Sequence, residues 1–140
     1  MVTTEVYATR VQGLDPTQKL VVDVMAEWAD ARKKWISTMS TGRFSKKRHT
    51  VPPKLNLLLL GTAGTGKTHT AKIGINQVRI AFESYDCVLT LAFSGVAAAN
   101  LGSGSRTIDS IFHTNQQSAD EDLTGADLDN LVEELKHVEL

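Results

Sequence analysis

The residues most suited to chemistry lie in one glycine-rich stretch, GTAGTGKT, which runs from Gly61 to Thr68. It follows an apolar run, LNLLLL, and precedes a segment with helical spacing, which is the context of a phosphate-binding loop. Glycines let the backbone turn its N–H groups toward a polyphosphate without interference from a Cβ atom. The start of the next helix places its positive end at the same phosphates. The pattern predicts a nucleotide site; the alternative is a turn that binds nothing.

Two side chains of this loop have predicted roles in binding a nucleotide. Lys67 is expected to reach the β- and γ-phosphates, and the Thr68 hydroxyl is expected to hold Mg²⁺. His69 and Thr70 lie about one helical turn past the glycines of the loop, where packing or surface roles are also open. The residues predicted to bind the nucleotide here are Gly61, Thr62, Ala63, Gly64, Thr65, Gly66, Lys67, Thr68 and His69.

Length and composition indicate one domain of moderate size. The 140 residues are enough for one core and too few for two ordinary domains. The single Cys87 excludes an internal disulfide and fits a reducing compartment, and no Cys and His spacing predicts zinc. The N-terminus lacks an apolar signal core, and no apolar run reaches membrane-spanning length. We expect a soluble intracellular protein, in the nucleus rather than in mitochondria or cytoplasm.

Charge is distributed unevenly although the net charge is only −1. Basic residues concentrate between Arg32 and Lys54, without any acidic residue among them. Acidic residues dominate from Asp109 onward, where Lys136 is the one lysine or arginine. This asymmetry predicts one surface suited to polyanions and another that avoids them. The basic run RFSKKRH favours a nucleic-acid contact or a nuclear localisation signal, with a solvated basic loop as the alternative.

The first part of the chain is predicted to be an extended lead-in over residues 1–13, followed by a long amphipathic helix over 15–40. Asp15 suits the N-cap, Pro16 suits the first turn, and Gln18 lies three residues after the cap. Both tryptophans are expected to be core residues rather than a ligand stack. The apolar residues at helical spacing are Val21, Met25, Trp28, Trp35 and Met39.

A basic loop over 41–53 is predicted to lead into a strand–helix–strand unit over 54–92. The first strand, 54–60, is apolar on both faces, as in a buried parallel sheet. The helix is expected to continue from the loop to about residue 84, with close packing at Gly74. The second strand covers 86–92. The expected buried stripe of the helix is Ala71, Ile75, Val78 and Phe82, with Ile73 and Ile80 on a second covered face.

Two short helices are predicted within residues 93–113, the first opened by Ser94 or Gly95. The last segment, 114–140, is acidic, with a helix over 127–136 and a final HVEL that could begin a third strand. The fold class expected from this order of elements is α/β.

Four stretches together resemble superfamily-one DNA helicases. LDPTQ is similar to their glutamine motif, and GTAGTGKT, with Ala63 where many other loop ATPases have proline, is similar to their first motif. LAFSGVAAANLG and TIDS resemble the next two motifs in order. The likeness covers residues 11–140 and is strongest to 5′-to-3′ helicases of the petite-integration-frequency type, including Helitron-encoded relatives, with RecD-like helicases next. It implies part of a RecA-like motor domain, incomplete over 14–140.

The resemblance also implies partners and roles. ATP and Mg²⁺ would be the cofactors, with Gln18 hydrogen-bonding the adenine edge, although Gln18 also fits a capping box. A hydroxyl and backbone N–H groups at a helix start suit contacts to single-stranded DNA phosphates, with helix capping or solvent contact as the alternative. Departures from the family pattern are Leu91, Phe93 and Asp109. The residues implied to contact DNA are Ser94, Gly95, Arg106, Thr107 and Ser110.

Several parts of the family pattern are missing, namely the apolar strand ending in Asp-Glu that helps to activate water, the later motifs, the arginine that reaches the γ-phosphate and the second motor domain. Phosphoryl transfer depends on such charge stabilisation and water positioning. The resemblance therefore implies an ATP-dependent DNA helicase acting in replication, repair, recombination or telomere maintenance. We expect that this chain alone neither hydrolyses ATP efficiently nor unwinds DNA. The alternatives are a non-catalytic nucleotide-binding module or another phosphate-loop NTPase.

Overall fold

The computed structural model describes residues 4–40, 51–112 and 125–139 and has a mixed α/β architecture that is mostly helical. The predicted basic run at 43–49 and most of the polar segment after residue 113 lie outside these residues. The chain divides into two compact units, Met1–Tyr85 and Asp86–Leu140. No helix among the described residues is long and apolar enough to cross a bilayer. The elements are α1 (Thr4–Gln12), α2 (Pro16–Ser40), α3 (Lys67–Phe82), β1 (Leu91–Ala92), α4 (Gly95–Leu101), β2 (Arg106–Thr107), α5 (Ile108–Phe112) and α6 (Gly125–Leu135).

Helix α1 corrects the prediction of an extended lead-in over residues 1–13. The segment TEVYATRVQ has no strong apolar stripe, which is why its helical spacing was easy to miss. It packs against α3 as well as preceding α2, and the Leu14 N–H bonds the Val11 carbonyl in the turn between them. Tertiary packing of this kind supports a nine-residue helix whose own propensity would be marginal in water.

Helix α2 begins at a capping box, as predicted. The Asp15 carboxylate accepts hydrogen bonds from the Thr17 and Gln18 N–H groups at 2.8 and 3.0 Å. The Gln18 side chain completes the box by accepting from the Asp15 N–H at 3.3 Å. These bonds satisfy backbone donors that a helix cannot satisfy internally, and such a cap contributes about 1 kcal/mol.

The core of the first unit is the contact between α2 and α3. The predicted stripe on α3 is only partly correct, because Val78 is fully buried while the predicted Ala71, Ile75 and Phe82 remain partly accessible. The other apolar side chain buried on α3 is Ile73, from the predicted second face. The buried residues of α2 are Val22, Met25 and Ala29.

Gly74 packs closely, as predicted. A Cβ atom at this position would overlap the Met25 sulfur, so the Met25 side chain fills the space beside Gly74. At the end of α3, the Lys33 ammonium hydrogen-bonds the Glu83 carboxylate at 2.8 Å. This bond and the charge of Lys33 hold the pKa of Glu83 below its ordinary value. The pair therefore favours folding above the ordinary glutamate pKa, and this contribution is lost as pH falls through the lowered pKa.

The two tryptophans are half-buried and differ in one respect. The Trp28 indole N–H donates to the Pro53 carbonyl at 3.0 Å, whereas the Trp35 indole N–H is buried without a hydrogen-bond partner among the described residues. The Arg32 guanidinium lies 4.8 Å from the Trp35 ring centroid, which covers that ring with a cation. Both rings therefore pack within the first unit, while among the described residues only the Trp28 indole N–H has a hydrogen-bond partner.

Replacing each tryptophan with phenylalanine is expected to give unequal losses of stability. Trp28→Phe leaves the Pro53 carbonyl without its donor and should lower the free energy of unfolding by about 1 kcal/mol more than Trp35→Phe. Trp35→Phe removes an unsatisfied donor, which offsets part of its packing loss. Urea unfolding followed by circular dichroism measures both. Equal losses, or a larger loss for Trp35→Phe, would contradict this account.

The strand predicted over residues 54–60 is not formed. This stretch has no ladder partner in the part of the chain that the structure describes, and Leu58 and Leu60 are 80% and 78% exposed. An apolar run indicates what a sheet would bury, but a strand exists only where a neighbour supplies its hydrogen bonds. The predicted strand–helix–strand unit around α3 is therefore absent, and no RecA-like sheet is present among the described residues.

The second unit contains a two-stranded parallel sheet connected through α4. Leu91 pairs with Arg106 and Ala92 with Thr107, so the strand predicted over 86–92 is confirmed only at its last two residues. The Arg106 N–H also bonds the Thr90 carbonyl at 3.0 Å. The core of this unit includes Cys87, which is buried as predicted, with Val88, Ala92, Ala98 and Ile111.

The C-terminal helix α6 is close to its predicted position. Its apolar side is not buried, since Leu128 and Val132 are exposed and Leu131 and Leu135 are partly accessible. The described part of HVEL is not a strand, although the Glu139 N–H donates to the Cys87 carbonyl at 2.7 Å. The helix was predictable from the spacing of its apolar residues, whereas the exposure of those residues to solvent was not.

Candidate functional site

Two glycines of the glycine-rich loop have a left-handed backbone conformation. Gly64 and Gly66 have φ angles of 81° and 76°, in the left-handed region that other residues disfavour. Gly66 is the N-cap of α3 and no side chain caps that helix. The first-turn amides of α3 have no intrahelical carbonyl to bond, so they can donate to an anion.

Lys67 is held at this loop by the loop's own carbonyl groups. Its ammonium donates to the Gly61 and Thr62 carbonyls at 2.8 and 2.6 Å and lies 3.4 Å from the Thr65 hydroxyl. The Thr65 hydroxyl in turn donates to the Thr62 carbonyl at 2.9 Å. The cation is thus positioned beside the uncapped helix start, where phosphate oxygens could replace carbonyls as its partners.

The threonines that follow Lys67 have different surroundings. Thr68, the predicted Mg²⁺ ligand, is exposed. Thr70 is buried, and its hydroxyl donates to the Gly66 carbonyl at 3.1 Å, which confirms a packing role. His69 is exposed, as its position allowed. The described residues contain no group of three or more His, Cys, Asp or Glu side chains that could hold a metal ion unaided.

Gln18 lies against the loop, 47 residues away along the chain. Its amide nitrogen donates to the Thr65 carbonyl at 3.2 Å, while its amide oxygen serves the capping box of α2. A Cβ atom on Gly66 would lie 2.7 Å from the same nitrogen. Of the two roles left open by the sequence, capping is observed, and the contact with the loop is additional.

A cavity of about 460 Å³ lies between α1 and the start of α3. Its wall includes one predicted site residue, His69, with an arginine from α1. Sequence reasoning missed the lining residues of α1, although Val6, Thr9 and Arg10 are spaced as on one face of a helix. The lining residues are Val6, Thr9, Arg10, Gly13 and His69.

In the second unit, Ser94 is the N-cap of α4, and its hydroxyl accepts from the Ala97 N–H at 3.3 Å. Gly95 begins this helix and is exposed. Beside them Phe93, which the sequence marked only as a departure from a family pattern, is 90% exposed. This end of α4 therefore presents a hydroxyl, a backbone turn and an aromatic ring on the surface of the unit.

The other three residues implied to contact DNA are engaged within the second unit. Arg106 makes two bonds of 2.8 Å to the Glu134 carboxylate and a third to the Ser110 carbonyl at 3.2 Å. The Thr107 hydroxyl accepts from the Ser110 N–H, and the Ser110 hydroxyl donates to the Thr107 carbonyl. Arg106 is therefore bonded to protein groups and does not contact solvent alone, which was one of its two predicted roles. Thr107 caps α5, because its hydroxyl accepts a bond from an N–H of that helix.

Comparisons of the chain with known protein families, with curated proteins and with solved structures find no significant match.

Proposed function

We propose that this chain binds ATP and Mg²⁺ at the loop from Gly61 to Thr68 and contacts single-stranded DNA through its second unit. The activity to which these contacts would contribute is that of an ATP-dependent DNA helicase, which couples ATP hydrolysis to unwinding. One observation supports the proposal that the loop binds a nucleotide. The Lys67 ammonium lies against the loop carbonyls next to the uncapped N-terminus of α3.

This arrangement suits a triphosphate because its positive groups converge on one short segment. Oriented backbone amides at a helix start attract anions, and a lysine cation adds charge-assisted hydrogen bonds. On binding, Lys67 would exchange its bonds to the Gly61 and Thr62 carbonyls for bonds to phosphate oxygens. The loop thereby supplies binding and charge stabilisation for the phosphoryl group.

Mg²⁺ fits this site as a metal held mainly by the nucleotide. The ion keeps several waters and binds through substrate phosphates with only one or two protein ligands. The exposed Thr68 hydroxyl would be such a ligand. When bound, the ion would neutralise charge on the β- and γ-phosphates.

The cavity beside α1 is the candidate position for the nucleoside. Its volume of about 460 Å³ lies in the ordinary range of small-molecule sites. His69 follows the loop directly and lines this cavity, so the cavity adjoins the segment proposed to bind phosphate. Arg10 and Val6 offer a cation and an apolar wall, which suit stacking against a base.

The DNA part of the proposal is supported by the start of α4. Exposed aromatic rings stack on unpaired bases without regard to sequence, and such stacking contributes about 1–3 kcal/mol per base. Phe93 provides the ring, and Ser94 and Gly95 provide polar groups for a phosphate beside it. Arg106 is already paired with the Glu134 carboxylate, which offsets its positive charge and makes it a weaker candidate for a phosphate contact.

Phe93→Ala is expected to weaken binding of a poly-dT oligonucleotide about tenfold at low salt, because a stacking platform is lost. Val96→Ala is the matched control, since Val96 is also exposed on this segment but has no ring. Fluorescence anisotropy of a labelled oligonucleotide measures both. Equal affinities for wild type and Phe93→Ala would remove Phe93 from the proposed interface.

The nucleotide part is tested by calorimetric titration of the chain with ATP in the presence and absence of Mg²⁺. We expect saturable binding that Mg²⁺ strengthens. The absence of any binding of ATP, GTP or inorganic triphosphate would contradict it. Binding without DNA-stimulated hydrolysis would favour the alternative of a non-catalytic nucleotide-binding module.

A further inference from the structure

The Gln18 amide is bonded to protein groups at both of its ends. Its oxygen accepts from the Asp15 N–H at 3.3 Å, and its nitrogen donates to the Thr65 carbonyl at 3.2 Å. The same nitrogen would lie only 2.7 Å from a Cβ atom built on Gly66, so it sits directly beside that glycine. The amide therefore connects the start of α2 with two consecutive residues of the phosphate loop.

These two bonds set the orientation of the amide. Reading an adenine edge requires the oxygen and the nitrogen of a glutamine together, as an acceptor and a donor. Here the oxygen is directed to Asp15 and the nitrogen to Thr65. Turning the amide toward a base would break at least one of these bonds, so the observed arrangement favours a role at the loop.

The Thr65 carbonyl and the Gly66 N–H belong to the same peptide group. Because that group is planar and trans, holding its oxygen also fixes the direction of its N–H. Gly66 is the N-cap of α3, and loop N–H groups of this kind are the donors that bind phosphate. A hydrogen bond from Gln18 to Thr65 thus orients a donor of the proposed phosphate site.

We propose that Gln18 is a positioning residue that acts on the triphosphate through the Thr65–Gly66 peptide group and does not read the base. This inference rests on the proposed function of the loop. The Gln18 hydrogen bond should therefore contribute equally to the affinity for every triphosphate, whatever its base. Loss of one side-chain hydrogen bond corresponds to about a fivefold loss of affinity.

The experiment measures binding of ATP, GTP and inorganic triphosphate, each with Mg²⁺, to wild type, Gln18→Met and Asp15→Ala. Gln18→Met keeps the length of the side chain and removes both hydrogen bonds. Asp15→Ala is the control for the helix cap, because it removes two capping bonds and leaves the Gln18 bond to Thr65 in place. Gln18→Glu is a second variant that keeps the cap acceptor and loses the donor.

We expect Gln18→Met to weaken all three ligands by the same factor of about five, with Asp15→Ala close to wild type. A loss confined to ATP would show that Gln18 reads the base and would overturn the inference. Unchanged affinities would overturn it too, as would an equal loss in Asp15→Ala, which would assign the effect to the cap. If wild type binds none of the three ligands, the proposed function fails first, which is a distinct result.

Discussion

Lys67→Ala is expected to weaken binding of ATP with Mg²⁺ about 100-fold, which corresponds to about 2.7 kcal/mol. Two effects contribute. The variant loses charge-assisted bonds to phosphate oxygens, which are each about twice as strong as neutral ones. It also loses the three contacts that tie the ammonium to Gly61, Thr62 and Thr65, so the loop is less well positioned before binding. Calorimetric titration at fixed ionic strength measures the change.

Lys72→Ala is the matched control for Lys67→Ala. Both lysines belong to α3, and Lys72 lies five positions further along the helix, outside the loop. The two variants change the net charge equally, so a general electrostatic effect would weaken binding in both. We expect Lys72→Ala to bind within about twofold of wild type. Similar losses in the two variants would mean that the charge, rather than the position of Lys67, determines affinity.

Gly74→Val should destabilise the first unit by about 3 kcal/mol through overpacking between α2 and α3. A Cβ atom at residue 74 would overlap the Met25 sulfur and lie 3.1 Å from its terminal carbon, and both residues are buried. Gly74→Ala should cost less, because the gain of about 1 kcal/mol in helix propensity offsets part of the overlap. Urea unfolding followed by circular dichroism gives the free energies.

Shortening Met25 tests whether this contact causes the loss. Gly74→Val should cost about 1–2 kcal/mol less in a Met25→Ala background, because the atoms that it meets are gone. Gly95→Val serves as a control for glycine replacement, since a Cβ atom there meets nothing within 4 Å. Additive effects of Gly74→Val and Met25→Ala would show that the close approach does not limit stability.

The sequence was most informative where a local pattern determines a local structure. The capping box at Asp15 and Gln18, the helix start at Lys67 and the cap at Ser94 all form as predicted, since each depends on residues within one turn. Gly74 was also correctly predicted to be a position of close packing. A glycine in the middle of an otherwise regular helix costs stability, so its presence indicated a neighbour.

Predictions that depended on distant partners were less accurate. The leucines of 54–60 suggested a buried strand, but apolar composition does not indicate whether neighbouring strands are present. Helix α1 was missed because its apolar stripe is weak and the helix is supported by packing against α3, which the local sequence does not show. The bonds of Arg106 to Glu134 and of Gln18 to Thr65 join residues 28 and 47 positions apart, and no local spacing reveals such pairs.

The proposal that the loop binds a triphosphate is tested most directly by ¹H–¹⁵N spectra of the chain during titration with ATP and Mg²⁺. We predict that the largest shift changes occur at the amides of Gly64, Gly66 and Lys67, because these groups lie at the loop and at the start of α3. Inorganic triphosphate should shift the same amides. Unchanged loop amides at saturating ATP, or changes confined to other parts of the chain, would contradict the account.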